Sequence, residues 1–253
     1  MSADVSPPAD QDGYFGEDVA SGYDDDADPM FSARLIDPVV DTLVGLARGG
    51  RVLEFAIGTG RIAVPLSARG VEVQGIELSR AMVAQLRAKP TGGMIPVAIG
   101  DMATTRVDGQ FALVYLVFNT IENLTSREAQ VACFANAAAH LVSGGKFVIE
   151  VENPRPETLP PGERFRVWDA SASHWGIDEY DIPSQRVVSH HFSPVGDGHW
   201  RLLSMPFRYT PPEELDQMAR MAGMRLVERW AGWKREPFSA DSPSHVSVWE
   251  KVS

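Results

Sequence analysis

The chain of 253 residues holds a single cysteine, Cys133, which excludes an intrachain disulfide framework and suits a reducing compartment. Cys133 falls within a helical pattern and reads as a packed core residue. No apolar run is long enough to cross a bilayer. Positive charge is scarce as well: 23 Lys and Arg stand against 34 Asp and Glu, for a net charge of -11. Proteins that bind a phosphate backbone neutralise it with cations, and no basic run is present, so nucleic acid is a poor partner. The first residues do not combine a charged stretch with an apolar one as a secretory leader does. The expectation is a cytoplasmic protein that meets neither membrane nor nucleic acid. Metal-ligand spacing is lacking too. His190 and His191 are adjacent, so in a strand they point to opposite faces and cannot share one ion, and no metal is expected.

What the sequence does contain is concentrated in residues 51–61, R-V-L-E-F-A-I-G-T-G-R. A short apolar run (Val52, Leu53, Phe55) carries the acid Glu54 and breaks into Gly58-Thr59-Gly60, after which a helical pattern begins. A strand, a glycine turn and a helix start let backbone N–H groups and the positive helix end approach a ligand closely, because glycine has no Cβ to obstruct it. Phosphate sites do not want an acid at the strand end. Glu54 suits a ligand with a positive group, and S-adenosylmethionine carries an ammonium and a sulfonium. The stretch from Gly58 to Ala63, with Glu77 about 20 residues on, also fits the dinucleotide fingerprint. A nicotinamide oxidoreductase and a turn with no ligand are therefore the competing readings.

The following strand-like runs help to separate them. Residues 71–77 end in Glu77 and lead into Leu78-Ser79; a carboxylate there can accept both ribose hydroxyls of either cofactor. Residues 95–99 lead into Gly100-Asp101-Met102, where an acid can take the adenine amino group while a thioether covers the ring. Nicotinamide dehydrogenases need no acid at that point. Residues 111–118 lead into Asn119-Thr120, where a methyl acceptor would lie.

These four stations, in this order, resemble the class I S-adenosylmethionine-dependent methyltransferases over roughly residues 23–152, with a weaker continuation beyond. The chain looks closest to bacterial small-molecule methyltransferases and is more distantly similar to amino-sugar N,N-dimethyltransferases. The resemblance implies that Glu54 and Gly58 face the methionine portion, Glu77 the ribose, and Asp101 with Met102 the adenine. It also assigns Tyr23, Ala56, Gly60, Leu78, Met82, Val117 and Phe118 to the cofactor site, and implies that a leading segment around Tyr14, Phe15 and Tyr23 folds over it. The family pattern is an acid followed by G-x-G-x-G. Here Ala56 stands in the place of the first glycine, which alanine can fill if that position has negative φ. Amino-sugar enzymes often carry a histidine after the fourth strand; the nearest position holds Asn123, which argues against an amino-sugar acceptor.

Strand-like runs alternate with helical patterns as far as residue 152. This predicts an α/β fold with a doubly wound, mostly parallel seven-stranded sheet whose last strand is antiparallel. Asp37-Pro38 reads as the N-cap and first position of a helix ended by Gly49-Gly50, and Ser79 caps a helix over 80–89. Thr125 to Glu128 reads as a capping box before a helix over 129–141 that Gly144-Gly145 stop. The rhythm then changes. A Pro-rich link precedes period-two runs at 164–168, 184–192 and 200–209, with a hairpin signal at Gly196-Asp197-Gly198. These predict an antiparallel β insertion over the active site. The expected organisation is a mobile N-terminal segment (1–22), a cofactor-binding core (23–152), the insertion or lid (153–209), and a C-terminal helix with closing strands (210–253).

The activity implied is methyl transfer to oxygen or nitrogen of a small molecule, achieved chiefly by holding the acceptor in line at about 3–3.5 Å. A base would add about 10²–10⁴-fold. His174, beside Trp175, and His191 are the candidates, each equally readable as a solvated strand histidine, and Asn119 would orient the acceptor or the methionine carboxylate. A non-catalytic S-adenosylmethionine-binding protein, or a methyltransferase fold turned to another reaction, stays open. An exposed edge of the insertion could pair two subunits, which leaves a homodimer open.

Overall fold

The computed structural model describes residues 12–24 and 29–252. The first half runs α1 (Glu17–Ala20), α2 (Ala33–Ala47), β1 (Val52–Phe55), α3 (Ala63–Ala68), β2 (Val73–Glu77), α4 (Arg80–Ala88), β3 (Val97–Ile99), β4 (Phe111–Leu116), α5 (Arg127–His140) and β5 (Leu141–Glu152). Four strands follow without a long helix between them: β6 (Phe165–Ala170), β7 (Trp175–Asp181), β8 (Arg186–Gly196) and β9 (His199–Arg208). The chain then returns through α6 (Pro212–Met221), β10 (Met224–Trp230) and β11 (Ser244–Lys251).

Seven strands form one sheet in the order β10-β11-β5-β4-β1-β2-β3. β1 to β5 pair in parallel, and β11 is antiparallel to both of its neighbours. All four residues of β1 are buried, as expected of a strand covered by helices on both faces. On one face α5 and α6 pack through Phe134, Leu215 and Met218 onto Phe55, Phe147 and Trp249. The Phe134 ring meets Phe147 edge-on at 5.1 Å and Trp249 at 5.3 Å. On the other face α2 and α3 bury Val40, Leu43 and Leu66 against Val52, Leu113 and Val148. From β1 the chain builds outward to β2 and β3, and from β4 it builds the opposite way. The crevice where that order reverses lies outside the carboxyl ends of β1 and β4, the place where such sheets take their ligands.

The second sheet is an antiparallel meander, β6-β7-β8-β9. It contains a strand that period-two patterning missed, since β7 (W-G-I-D-E-Y-D) carries polar side chains on both faces. Its pairing places Gly176, Asp178 and Tyr180 of β7 on one face with His191, Ser189 and Val187 of β8. The opposite face leaves Trp175, Val167 and Leu202 at least half exposed.

Several local expectations are corrected. α2 starts a turn earlier than Asp37-Pro38: its N-cap is Ser32, whose carbonyl accepts from Leu35 and Ile36, and Pro38 lies inside the helix. The apolar face extends back to Ile36, and its packing offsets the one helical hydrogen bond that proline cannot make. The cap of α5 is Ser126, whose hydroxyl accepts from Ala129 N at 3.1 Å, so the residue at the capping-box glutamate's place is Ala129. Gly144-Gly145 do not stop that helix. β5 begins directly after it at the buried Leu141, and the glycines fall where the pairing with β4 slips register. β3 and β4 are also shorter than the apolar runs that contain them.

Of the segment 1–22, residues 1–11 lie outside the described residues, and 12–22 rest on α4. Among the described residues no helix is long and apolar enough to cross a membrane. Phe147 touches both β1 and the α5 face, so Phe147→Ala should lower stability by about 3–5 kcal/mol, read as an earlier urea midpoint with an unchanged slope.

Candidate active site

β1 delivers Glu54 to the crevice, and the backbone then turns with three left-handed residues in five: Ala56 (φ 50), Gly58 (φ 56) and Gly60 (φ 79). The negative φ expected for Ala56 is therefore wrong. The chain reverses too sharply between β1 and α3 for an extended residue there, and alanine holds a conformation that costs about 1–2 kcal/mol where glycine is free. Gly60 has a second reason to lack a side chain, because a Cβ would come within 2.4 Å of the Leu86 side chain.

Glu54 is 3% exposed, and its Oε2 accepts a 2.6 Å hydrogen bond from the Tyr115 hydroxyl, directly across the β1–β4 pairing. Burial pushes the Glu54 carboxyl up to about 8, against the pull of the Tyr115 hydrogen bond and of Arg61. It forms no ion pair among the described residues. A buried acid in that condition fits a ligand that brings its own positive charge. The cleft around it is lined by Ala56, Gly58, Val117, Phe118 and Tyr23, and the Arg61 guanidinium lies 4.9 Å over the Phe118 ring.

Glu77 ends β2. Its carboxylate accepts from Gly58 N at 2.8 Å and from Ser79 N at 2.9 Å, so it joins the glycine turn to the start of α4, where Ser79 caps Met82 N at 3.0 Å. Burial raises the Glu77 carboxyl and these backbone donors oppose the rise. Gly100 N donates to Glu77 O at 2.8 Å, which brings the end of β3 alongside. There Asp101 accepts from Ala103 N at 2.7 Å, and Met102 is buried. Leu78 is half exposed, and Met82 packs beneath Gly58.

The leading segment is tied across this corner. The Asp12 carboxylate accepts from Arg80 N at 2.7 Å at the start of α4, and the Ser79 hydroxyl donates to Phe15 O at 2.6 Å. Asp24 takes the Thr59 hydroxyl at 2.6 Å and the Lys89 ammonium at 2.7 Å. Between these ties Tyr23 stands edge-on to Phe15 and Phe31.

Tyr23 also borders a second, larger chamber of about 740 Å³ under the β6–β9 sheet, lined by Met30, His174, His191, Arg201 and Leu203. His174 Nδ1 lies 2.7 Å from Asp169 Oδ2, and His174 Nε2 lies 3.2 Å from His191 Nδ1, with Trp168 packed against both rings. Burial, and then the neighbouring His174 and His190, hold His191 below the usual imidazole range. The two histidines singled out from sequence thus meet. His190 points to the other face and bonds Ser204 at 2.8 Å.

Asn119 is placed differently from its expected role. It is left-handed (φ 58), and both ends of its amide are taken by Glu152: Oδ1 accepts Glu152 N at 2.7 Å, and Nδ2 donates to Glu152 Oε1 at 3.2 Å. Sequence reading missed Tyr115 and Asp169. Tyr115 could have been suspected as a lone hydroxyl within a buried strand, whereas Asp169 acquires meaning only once the β6–β7 hairpin brings it to His174.

A methyltransferase domain model matches residues 52–145, from β1 to the β4–β5 pairing. The CcbJ methyltransferase of Streptomyces caelestis superposes with a TM-score of 0.81 at 32% identity, over 94% of this chain and 96% of that one. An S-adenosylmethionine-dependent methyltransferase from Clostridium acetobutylicum gives 0.73 at 13% identity, covering 86% and 92%. The amino pentose methyltransferase CalS10 of Micromonospora echinaspora, solved with S-adenosylmethionine, gives 0.64 at 21%, covering 86% and 90%. These last two share the fold. Identity with the Streptomyces protein extends over nearly the whole of both chains, and together with the crevice geometry it means that this chain belongs to the class I S-adenosylmethionine-dependent methyltransferases.

Proposed function

We propose that the protein methylates an oxygen or nitrogen atom of a small molecule held in the chamber under the β6–β9 sheet, with His191 taking the proton. The observation that carries this reading is the Asp169–His174–His191 chain, which faces a chamber that shares Tyr23 with the crevice. When bound, S-adenosylmethionine supplies an electrophilic methyl group on its sulfonium. Glu54 receives the positive end of that molecule. Glu77 retains lone pairs for the ribose hydroxyls beyond its two backbone donors, and Asp101 with Met102 takes the adenine. Gly58, Gly60, Leu78, Met82, Val117, Phe118 and Tyr23 supply the close backbone and the walls.

The protein's own chemistry is positioning and proton removal. One assignment of tautomers satisfies the whole chain: His174 donates from Nδ1 to Asp169 and accepts at Nε2 from His191 Nδ1–H. His191 Nε2 is then left with a free lone pair. An imidazole held below its usual range stays neutral near pH 7 and is ready to accept a proton from a hydroxyl or an ammonium. Asp169 and His174 are positioning residues that fix the ring and steady the charge it gains.

Incubation of the protein and S-adenosylmethionine with a panel of small alcohols, phenols and amines tests the reading through release of S-adenosylhomocysteine. With an accepted substrate, His191→Ala should lower kcat by about 10²–10⁴-fold while S-adenosylmethionine affinity holds. Asp169→Asn should shift the pH profile by a smaller loss, and an unchanged rate in His191→Ala would remove the base from the mechanism. A second expectation concerns the cofactor alone. Glu54 is mostly protonated at pH 7 in the free protein, and a positive ligand favours its ionised form, so binding should release a proton and affinity should rise with pH up to about 8. Calorimetry at pH 7 in buffers of different ionisation enthalpy should show that release, and Glu54→Gln should abolish it.

A further inference from the structure

The chamber under the β6–β9 sheet has an end that the base does not use. His191 and Ser193 stand two residues apart on β8, and Leu203 and Arg201 stand opposite them on β9 in the same order. All four line the chamber, as residues on one face of a paired sheet should. His191 marks one position, and the Ser193–Arg201 pair marks another about 6–7 Å along the strands, toward the turn that joins β8 to β9.

Neither side chain of that second pair has a partner. Among the described residues the exposed Arg201 guanidinium forms no ion pair or hydrogen bond, and the half-buried Ser193 hydroxyl forms no hydrogen bond. Other arginines are differently placed: Arg208 is held by Glu214 at 2.9 Å and Arg229 by Asp216 at 2.8 Å. No acidic side chain lines the chamber among the described residues, although acids outnumber bases by 34 to 23 in the chain. Asp169 is engaged by the His174 ring at 2.7 Å. The chamber thus carries the sign opposite to that of the whole chain, and a cleft of one sign draws in ligands of the other.

The donors also have the right shape. A guanidinium presents paired N–H groups that match the two oxygens of a carboxylate, and a serine hydroxyl can add a further donor. Residues directly opposite in an antiparallel pair have Cβ atoms about 4.5–5.5 Å apart, close enough for one carboxylate to meet both side chains.

We infer that Arg201, with Ser193, binds a carboxylate of the methyl acceptor. The protein then selects small acids whose hydroxyl or amine reaches His191 while the carboxyl lies toward the β8–β9 turn. The inference rests on the reading of the chamber as the acceptor site, and it adds a class of substrate and the residues that select it. The carboxylate is the handle and not the methylated group, because Arg201 holds it away from His191.

The test titrates the full-length protein, in the presence of S-adenosylhomocysteine, with benzoate, phenylacetate and cyclohexanecarboxylate and with the three matching carboxamides. Ligand NMR signals give the affinity, and the His191 ring signals, assigned by their loss in His191→Ala, report entry into the chamber. At least one acid should bind about 10-fold or more tightly than its carboxamide and should shift those ring signals. Arg201→Gln should erase the preference while carboxamide binding and the melting temperature hold. Arg201→Lys should keep part of it, and Ser193→Ala should reduce it by less than Arg201→Gln does. Equal binding of acids and carboxamides that both shift the His191 ring would overturn the proposal and leave the chamber as the acceptor site. If ligands of neither kind move that ring, both readings fall. An acid preference that survives Arg201→Gln, or phenyl phosphate binding more tightly than every acid, would also overturn the carboxylate assignment.

Discussion

The carboxylate of Glu77 ties together two backbone segments on which the whole binding end of the sheet relies. One oxygen takes Gly58 N–H in the left-handed turn after β1, and the other takes Ser79 N–H where α4 begins. Hydrogen bonds to a charged acceptor contribute about 1.5–3 kcal/mol each, enough to offset the strain of the left-handed Ala56. The consequences spread outward. The turn brings backbone donors to the crevice, and the start of α4 offers Arg80 N–H to Asp12 and the Ser79 hydroxyl to Phe15. The leading segment is thereby brought to rest with Tyr23 at the crevice mouth.

Features written in short stretches were legible in the sequence. The acid before the glycine turn, the acid at the end of β2, the Asp101-Met102 pair and the alternation that predicts the parallel sheet all depend on neighbours within a few residues. Features that depend on pairing were not. Tyr115 meets Glu54 because β4 pairs with β1, and Asp169 reaches His174 because β6 and β7 form a hairpin. β7 itself escaped because its two faces are both partly polar, one toward the chamber and one outward. At Ala56 the letter was read correctly and its backbone was not: a residue type suggests a preferred φ, and the reversal of the chain decided it.

The insertion turns out to be more than a cover. Alternation along its strands gives it two unlike faces. One presents His191, Ser189 and Asp178 toward the strand ends, and the other leaves Trp175 and Leu202 in solvent. The core supplies Glu54 from β1, one of the two strands that flank the reversal of strand order. Burial keeps that carboxyl mostly protonated in the free protein, so the crevice holds a latent charge that the net charge of the chain would not reveal.

Tyr23 borders both the crevice and the larger chamber, and the segment that carries it is fastened by Asp12 on one side and Asp24 on the other. A wall common to two compartments makes their filling interdependent. A shift of that one aromatic ring would redraw the outline of both at once, so the fastening of a short leading segment sets the shape of two separate spaces.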